Sequence, residues 1–239
     1  DRTRCKAAHL YGCVVFVIIR SMKFVLSVTF LCLLFNVTTA EAYDLYITDA
    51  EREYESVVIK PDSSSKEGHL GKLEGAPVMY EIEVTESYPL TLQLAQRHQG
   101  TPYALSLIVV RQNKGDGGVA EVGRLNSDTE DWTIRKDSGL GVSFFESELF
   151  EAELDPGLYR VEVSTPDNKA HYLLLFGDKD DRTGYFKGLS QAYKIQRFFD
   201  YSIVNMLKSS YVYYTLALIL LIFVVNRILK YRKATTHVS

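Results

Sequence analysis

The feature that most constrains this chain is an uncharged, strongly apolar run near its C-terminus. No Asp, Glu, Lys or Arg occurs between Ser209 and Asn226. In a helix, which rises about 1.5 Å per residue, this run is about as long as the hydrocarbon core of a bilayer is thick. We therefore predict a transmembrane helix over 209–229 and a basic tail over 230–239. A buried helix in a soluble core is the alternative interpretation of the same run.

Aromatic and basic residues lie before and after the apolar run. Tyrosine rings are amphipathic and suit the headgroup layer, where Lys and Arg also meet lipid phosphates. The lipid bilayer is therefore the first partner that the sequence predicts. The residues predicted to lie at the membrane interface are Lys187, Lys194, Arg197, Lys208, Tyr211, Tyr213, Tyr214, Arg227 and Lys230.

Charge is distributed unevenly along the chain. The formal net charge is −3, but residues 24–226 hold 18 basic and 29 acidic side chains. An acidic domain between two basic ends argues against nucleic acid as a partner. The basic residues at 227–233 predict a cytoplasmic C-terminus by the positive-inside rule. The domain before the run would then be extracytoplasmic, either periplasmic or extracellular.

A second apolar segment lies near the N-terminus. Met22 is followed by a basic residue, an apolar stretch at 24–37 and a small-residue sequence that ends at Ala42. This order is typical of a secretory signal peptide and predicts a signal at 22–42, cleaved after Ala42. Residues 1–21 are then interpreted as an upstream extension that the native protein lacks.

The alternative at this end is one uncleaved anchor that joins residues 13–19 with 24–37. Arg20 and Lys23 would interrupt it, and each is unfavourable inside a bilayer. Cysteine placement bears on the same region, because Cys5, Cys13 and Cys32 all precede the predicted cleavage site. A mature domain without cysteine depends on core packing rather than on disulfides.

Between residues 43 and 177, apolar residues recur at every second position. Tyr80, Ile82 and Val84, for example, alternate with polar residues. This period is typical of strands with one buried face. It predicts an all-β ectodomain of eight to ten strands, an antiparallel β-sandwich of jelly-roll or immunoglobulin-like kind. The predicted strands are 44–48, 54–59, 80–84, 90–94, 103–111, 119–124, 131–135, 142–153, 159–163 and 171–176.

The last predicted hairpin resembles a known bacterial module. An Asp-Pro-Gly turn at 155–157 leads into the strand Tyr-Arg-Val-Glu-Val-Ser, and a second strand follows at 171–177. This hairpin resembles the closing hairpin of bacterial pre-peptidase C-terminal domains, which are small β-sandwiches of secreted and surface proteins. Residues 184–199 and the apolar run are similar to an uncharacterised bacterial family that pairs such a sandwich with a C-terminal anchor. The resemblance implies a sandwich fold and no catalytic residues.

The segment 178–208, between the sandwich and the apolar run, is an acidic linker followed by an amphipathic stretch. Apolar residues recur there at intervals of three and four, with basic residues between them, which predicts a juxtamembrane helix. That helix could lie in the membrane interface, pack on the sandwich, or serve as a plain stalk. The residues 200–202 predict a break, or a new helix cap, before the transmembrane helix.

The chain lacks the short motifs that mark common catalytic sites. It has no His-Glu-x-x-His, P-loop, Gly-x-Ser-x-Gly or Cys-x-x-Cys sequence, and Gly139-Leu140-Gly141 predicts only a loop. Its histidines lie far apart, so a catalytic or zinc site would require the fold to bring them together. No cofactor is predicted. The histidines are His9, His69, His98, His171 and His237.

Two further residue groups allow alternative interpretations. Asp178, Asp180 and Asp181 could supply oxygen ligands to calcium, or form part of a solvated linker. Trp132, the single tryptophan, is predicted to lie in the core, and only an exposed position would suit stacking on a sugar.

These observations predict a non-enzymatic protein. The first hypothesis is a membrane-anchored β-sandwich that acts as a binding or structural module and contacts another protein or a glycan. The alternative is an accessory subunit of a membrane protein complex, assembled through the transmembrane and juxtamembrane helices. A hydrolase is disfavoured because its catalytic groups would have to assemble from scattered Asp, Glu and His residues.

Overall fold

The computed structural model describes residues 43–48, 54–60, 66–113, 117–126, 132–177 and 184–236, with side chains as far as Lys230. Twelve strands and two α-helices lie within these residues, together with a 3₁₀ helix at Ile203–Lys208. The strands are β1 (Asp44–Thr48), β2 (Ser56–Ile59), β3 (Glu67–Glu74), β4 (Val78–Val84), β5 (Tyr88–Arg97), β6 (Ser106–Gln112), β7 (Val119–Asn126), β8 (Thr133–Asp137), β9 (Val142–Glu146), β10 (Phe150–Leu154), β11 (Gly157–Ser164) and β12 (Lys169–Phe176). The helices are α1 (Tyr185–Phe198) and α2 (Ser210–Thr236).

The strands form two sheets that share one core. The seven-stranded sheet has the order β1-β3-β12-β5-β9-β8, and β10 also pairs with β5. The five-stranded sheet has the order β2-β4-β11-β6-β7. Side chains from both sheets meet in a single apolar cluster, to which β4 and β12 contribute most. The predicted all-β sandwich is therefore confirmed.

The predicted antiparallel arrangement is wrong at one edge of each sheet. β1 pairs with β3 in parallel, and β2 pairs with β4 in parallel. The first four strands alternate between the two sheets, so that each crossing reverses the direction of the chain. Strands two apart in sequence consequently run in the same direction, and they are neighbours in one sheet.

The central strands show the predicted alternation of buried apolar residues with more exposed polar ones. In β4, Val78, Tyr80, Ile82 and Val84 are buried, whereas Glu83 between them is exposed. The central partner of β4 is β11, which pairs Val161 with Tyr80 on one side and with Val109 of β6 on the other. Each apolar side chain of this layer therefore meets apolar neighbours from two adjacent strands.

The strand β3 was not among the predicted strands, because both of its faces are covered. His69 faces the inter-sheet core beside Tyr80, whereas Leu70 lies in a second cluster on the outer face of the sheet. The two glycines of β3 leave room for aromatic rings. A Cβ on Gly68 would lie 2.7 Å from the Tyr43 ring, and one on Gly71 would collide with Tyr172. A strand built in this way shows no alternation.

The single strand predicted over 142–153 is two strands, because Ser147 interrupts it. The Ser147 hydroxyl accepts a hydrogen bond from the Leu94 amide (3.0 Å) and donates one to the Glu148 carbonyl (2.8 Å). The backbone amide of Ser147 also donates to the Leu94 carbonyl (2.9 Å). These bonds turn the chain so that β9 and β10 both pair with β5.

Helix α1 covers the outer face of the seven-stranded sheet. Its buried residues follow helical spacing and pack on a second apolar cluster that includes Leu70, Val142 and Leu173. Two amides anchor this face: Gln191 donates to the Tyr43 carbonyl (2.5 Å), and Gln196 donates to the Leu140 carbonyl (2.7 Å). The packed domain thus includes α1 as well as the sandwich.

The buried His69 makes the stability of this domain sensitive to pH. Its ring lies among Tyr46, Tyr80 and Phe176, with Nε2 3.5 Å from a Glu67 oxygen. Burial lowers the pKa of His69 to about 4, below the value of about 6.5 in an unfolded chain. The unfolded state therefore binds more protons between these values, and stability falls as the pH is lowered through this window.

The free energy of unfolding of the full chain falls between pH 7 and pH 4, and we expect this fall to be smaller by roughly 2–3 kcal/mol in His69→Gln, which has no titrating ring at this position. The measurement is denaturant unfolding of the full chain in detergent, followed by the fluorescence of the buried Trp132. Equal pH dependence in the variant and the wild type would contradict the assignment to His69.

Candidate functional site

The turn between β8 and β9 holds the start of α2. The Ser210 amide donates a hydrogen bond to the Ser138 carbonyl (2.8 Å), and the Ser209 hydroxyl donates to the Gly139 carbonyl (2.5 Å). Gly141 has a φ of +71°, and a Cβ there would lie 2.5 Å from the Ser209 nitrogen. Only glycine therefore permits both the turn and the close approach of the chain.

The first turns of α1 pack against the first turns of α2. The Tyr211 ring occupies the space where a side chain at Gly188 would project. The Tyr185 hydroxyl lies 2.6 Å from that of Thr215 and donates to the Tyr211 carbonyl (2.9 Å). A small residue on α1 and two tyrosines thus bring the helices into direct contact.

The connection between α1 and α2 is also held to the sheet. Arg97 of β5 donates to the Phe199 carbonyl at the end of α1 (2.9 Å), and its guanidinium lies 4.3 Å from the centre of the Tyr201 ring. A basic side chain at a helix C-terminus satisfies carbonyls that the helix leaves unpaired. Tyr201 in turn donates to the Ser143 carbonyl (3.1 Å).

The predicted break at 200–202 is confirmed. Asp200 has a φ of +53°, which ends the helical path, and Ser202 caps the 3₁₀ helix by accepting a hydrogen bond from the Val204 amide (3.4 Å). Of the three alternatives for the juxtamembrane helix, packing on the sandwich is the one observed, and the plain stalk is wrong. The face of α1 that points away from the sheet remains exposed, with Phe186 82% exposed.

The predicted membrane-interface residues occupy three settings in the structure. Lys187 forms an ion pair with Asp44 of β1. Tyr211 packs on α1, while the Tyr213 and Tyr214 rings lie 4.3 Å apart. The remaining residues have exposed side chains on α1, the 3₁₀ helix and α2, and their contact with lipid stays a prediction: Lys194, Arg197, Lys208, Arg227 and Lys230.

Exposed apolar side chains lie on the two segments that adjoin the start of α2. Ile203, Val204 and Leu207 of the 3₁₀ helix are 74%, 65% and 53% exposed, and Phe186 lies beside Tyr185 on the α1 side. We call these four residues, Phe186, Ile203, Val204 and Leu207, the apolar collar. From Ser210 to Lys230, α2 has the length and composition to cross a membrane, with a mean hydropathy of 2.1. None of its most apolar stretch is buried within the protein.

A groove lies at the C-terminal end of α1. It consists of two adjoining cavities of about 420 and 550 Å³ that share Tyr103 and His171. Tyr103 is 54% exposed, and the Gln96 side chain holds its loop through two hydrogen bonds to the Tyr103 backbone (2.8 and 2.9 Å). Charged residues on the walls include Lys72 and Asp200. We call this feature the Tyr103–His171 groove.

His171 presents a largely neutral ring to this groove at neutral pH. Burial lowers the pKa of His171, although the Asp200 carboxylate opposes the shift. The ring packs on Phe198 of α1, with 5.1 Å between the ring centres. A neutral imidazole beside a tyrosine offers one hydrogen-bond donor, one acceptor and aromatic surface to a ligand.

The structure does not bring the three histidines of the domain together. His69 lies in the inter-sheet core, His98 packs on Phe145, and His171 faces the opposite side of the sheet from His69. Among the described residues, no group of three His, Cys, Asp or Glu side chains is placed to hold a metal ion. Trp132 is buried in the core, as predicted. The possible calcium ligands at 178–181 lie outside the described residues.

Comparisons with known proteins find only distant similarity to solved structures. No protein-family model and no curated protein sequence matches this chain. The pre-peptidase C-terminal domain of a collagenase from Bacillus anthracis matches with 13% identity and a TM-score of 0.35, over 52% of this chain and 95% of that chain. A periplasmic inhibitor of g-type lysozyme from Aeromonas hydrophila matches with 13% identity and a TM-score of 0.34, over 55% and 96%. The first belongs to the family that the closing hairpin resembles.

Sequence reasoning missed the part that glycines play where the β8–β9 turn contacts the start of α2. Gly139-Leu140-Gly141 forms a loop as predicted, but the sequence does not indicate that Ser209 and Ser210 rest on it. The nearest signal is the pair of small polar residues that opens the apolar run.

We expect Gly141→Ala to loosen the start of α2, because the added methyl group would collide with the backbone at 208–209. Hydrogen exchange at the Ser210 and Val212 amides should become about tenfold faster, as overpacking typically destabilises by about 1–3 kcal/mol. The matched control is Gly75→Ala, since Gly75 also has a positive φ (+92°) but nothing lies within 4 Å of an added Cβ. Equal protection at these amides in both variants would contradict the packing of the start of α2 against Gly141.

Proposed function

We propose that this protein is a single-span, membrane-anchored binding module without catalytic activity, whose β-sandwich is held rigidly at the membrane surface. The observation that carries this proposal is the junction at Ser209 and Ser210, where the β8–β9 turn binds the start of α2 directly. A domain on a flexible stalk would sample many orientations. This domain instead presents one set of surfaces in a constant orientation relative to its anchor.

The apolar collar supports the membrane anchor. Phe186 lies close to the first turns of α2, because its neighbour Tyr185 contacts Thr215. Leu207 is separated from Ser210 by only two residues. Burial of exposed apolar side chains next to a spanning helix is favourable when they enter the bilayer interface. In this arrangement the sandwich is extracytoplasmic, the basic C-terminal segment is cytoplasmic, and residues 22–42 act as the signal peptide.

We expect wild-type full-length protein to stay in the membrane pellet during alkaline carbonate extraction. Leu220→Arg combined with Phe223→Arg should release it, since each charge at mid-span opposes insertion by about 2.5–3.5 kcal/mol. Both side chains are exposed on α2, so that the sandwich loses no packing contact. Leu220→Ala combined with Phe223→Ala is the control and should remain in the pellet. Extraction of the wild-type protein would contradict the anchor.

The Tyr103–His171 groove is the surface that we propose for ligand contact. It combines an exposed aromatic ring, a largely neutral imidazole and charged groups of both signs around adjoining cavities. Sites for specific binding are commonly concave, with a small number of polar groups that orient the ligand. The ligand class is a protein segment or a glycan, and the loop held by Gln96 is preorganised to receive it.

The alternative function is an accessory subunit of a membrane protein complex, assembled through α2 and α1. The exposed apolar surface of α2 and the collar favours it, because a partner helix could pack there. In that arrangement the rigid junction would serve to position the sandwich over the partner.

One capture experiment separates the two functions. Full-length protein is cross-linked in its native membrane as wild type, as Tyr103→Ala and as Tyr193→Ala, a matched exposed tyrosine on α1 that is 48% exposed. We expect Tyr103→Ala to reduce ligand capture at least fivefold, because aromatic anchors contribute disproportionately to binding. Tyr193→Ala should leave capture unchanged. Capture that survives Tyr103→Ala but is lost on substitution of the collar would favour the subunit.

A further inference from the structure

A third cavity lies between α1 and the first strand of the seven-stranded sheet. It has a volume of about 320 Å³, and its walls carry the polar groups of Asp44, Tyr46, Lys187, Ser190 and Lys194. The three α1 residues follow at intervals of three and four, so that they form one stripe along the helix. Gln191 beside them is fixed by its bond to the Tyr43 carbonyl, which makes this wall of the cavity well ordered.

The cavity lies close to the start of α2. Lys187 is two residues from Tyr185, whose hydroxyl contacts Thr215 in the second turn of α2. Phe186, between them in sequence, belongs to the apolar collar. If α2 spans a membrane, as proposed above, this end of the cavity lies in the headgroup layer. The inference made here therefore rests on the proposed anchor.

The charges around the cavity match a headgroup that carries both signs. The ammonium groups of Lys187 and Lys194 can donate hydrogen bonds to a phosphate, as can the Ser190 hydroxyl. Asp44 forms an ion pair with Lys187, which holds that ammonium group at the wall, and its carboxylate retains further acceptor positions. Those positions suit a primary ammonium group. A quaternary ammonium group carries no N–H and cannot use them.

We propose that this cavity binds the headgroup of an aminophospholipid of the phosphoethanolamine type. Lys194, Lys187 and Ser190 bind its phosphate, and Asp44 accepts a hydrogen bond from its ammonium group. Phosphocholine would lose the bond to Asp44, and phosphoglycerol would offer that carboxylate only neutral hydroxyl donors, without the positive charge of an ammonium group. The bound lipid would join β1 and α1 to the membrane next to the span.

The test measures lipid retention by native mass spectrometry of the full chain, released from nanodiscs that contain phosphatidylcholine mixed with either phosphatidylethanolamine or phosphatidylglycerol. We expect retained phosphatidylethanolamine to exceed both other lipids. Lys194→Gln should reduce its retention about tenfold, the effect of losing one charge-assisted hydrogen bond. Asp44→Asn should remove the preference for phosphatidylethanolamine over phosphatidylglycerol. The control is Lys60→Gln, at an exposed lysine just after β2, which should leave lipid retention unchanged.

Equal retention of the three lipids by the wild type, unchanged retention of phosphatidylethanolamine in Lys194→Gln, or an unchanged preference in Asp44→Asn would overturn the inference. Thermal unfolding in dissolved inorganic phosphate or phosphoethanolamine gives a second readout. Stabilisation by these solutes equal to that by the lipid would identify a soluble ligand and overturn the lipid assignment. If the chain resists carbonate extraction but shows no headgroup preference, the lipid inference fails while the proposed membrane anchor stands. Failure of the inference is therefore distinguishable from failure of the proposed function.

Discussion

The packing of α1 on the outer face of the seven-stranded sheet is the interaction on which the rest of the structure depends. It covers Leu70, Val142 and Leu173, which would otherwise expose a second apolar face on a sandwich whose first face is already filled. It also places the end of α1 beside Arg97 and its beginning beside α2. The junction, the groove and the cavity between α1 and β1 each include a residue of α1 or of the turn that ends it.

Rigidity at the junction comes from close backbone approach rather than from many strong bonds. Gly141 and Gly188 each leave a space that another part of the chain enters, and a methyl group would fill either space. The Ser138 carbonyl then satisfies the Ser210 amide, a group at the start of α2 that no helical partner can reach, and the Ser209 hydroxyl bonds the Gly139 carbonyl beside it. Surface ion pairs such as that of Lys187 with Asp44 contribute far less to this stability.

The fold was predictable wherever one face of a strand is buried and the other is solvated. β4 and β11 follow this rule, and the predicted strand over 44–48 coincides with β1. Prediction failed for β3, which is covered on both faces, and at Ser147, where one hydroxyl redirects the chain. The candidate site was predictable in composition, as basic and aromatic residues near an apolar run. Its geometry was not, because Gly141 and Ser209 are distant in sequence and meet only in the folded chain.

The sequence by itself determined the β-rich class of the domain, the apolar run of α2, and the break at 200–202. Each of these depends on local period, hydropathy or backbone preference, which neighbouring residues express without a partner. Only the tertiary structure decided that two edge pairs are parallel, that α1 packs on the sheet instead of forming a stalk, and that one cavity borders this helix while another borders the turn that ends it. Those outcomes depend on contacts between distant segments, and local patterns carry no information about such contacts.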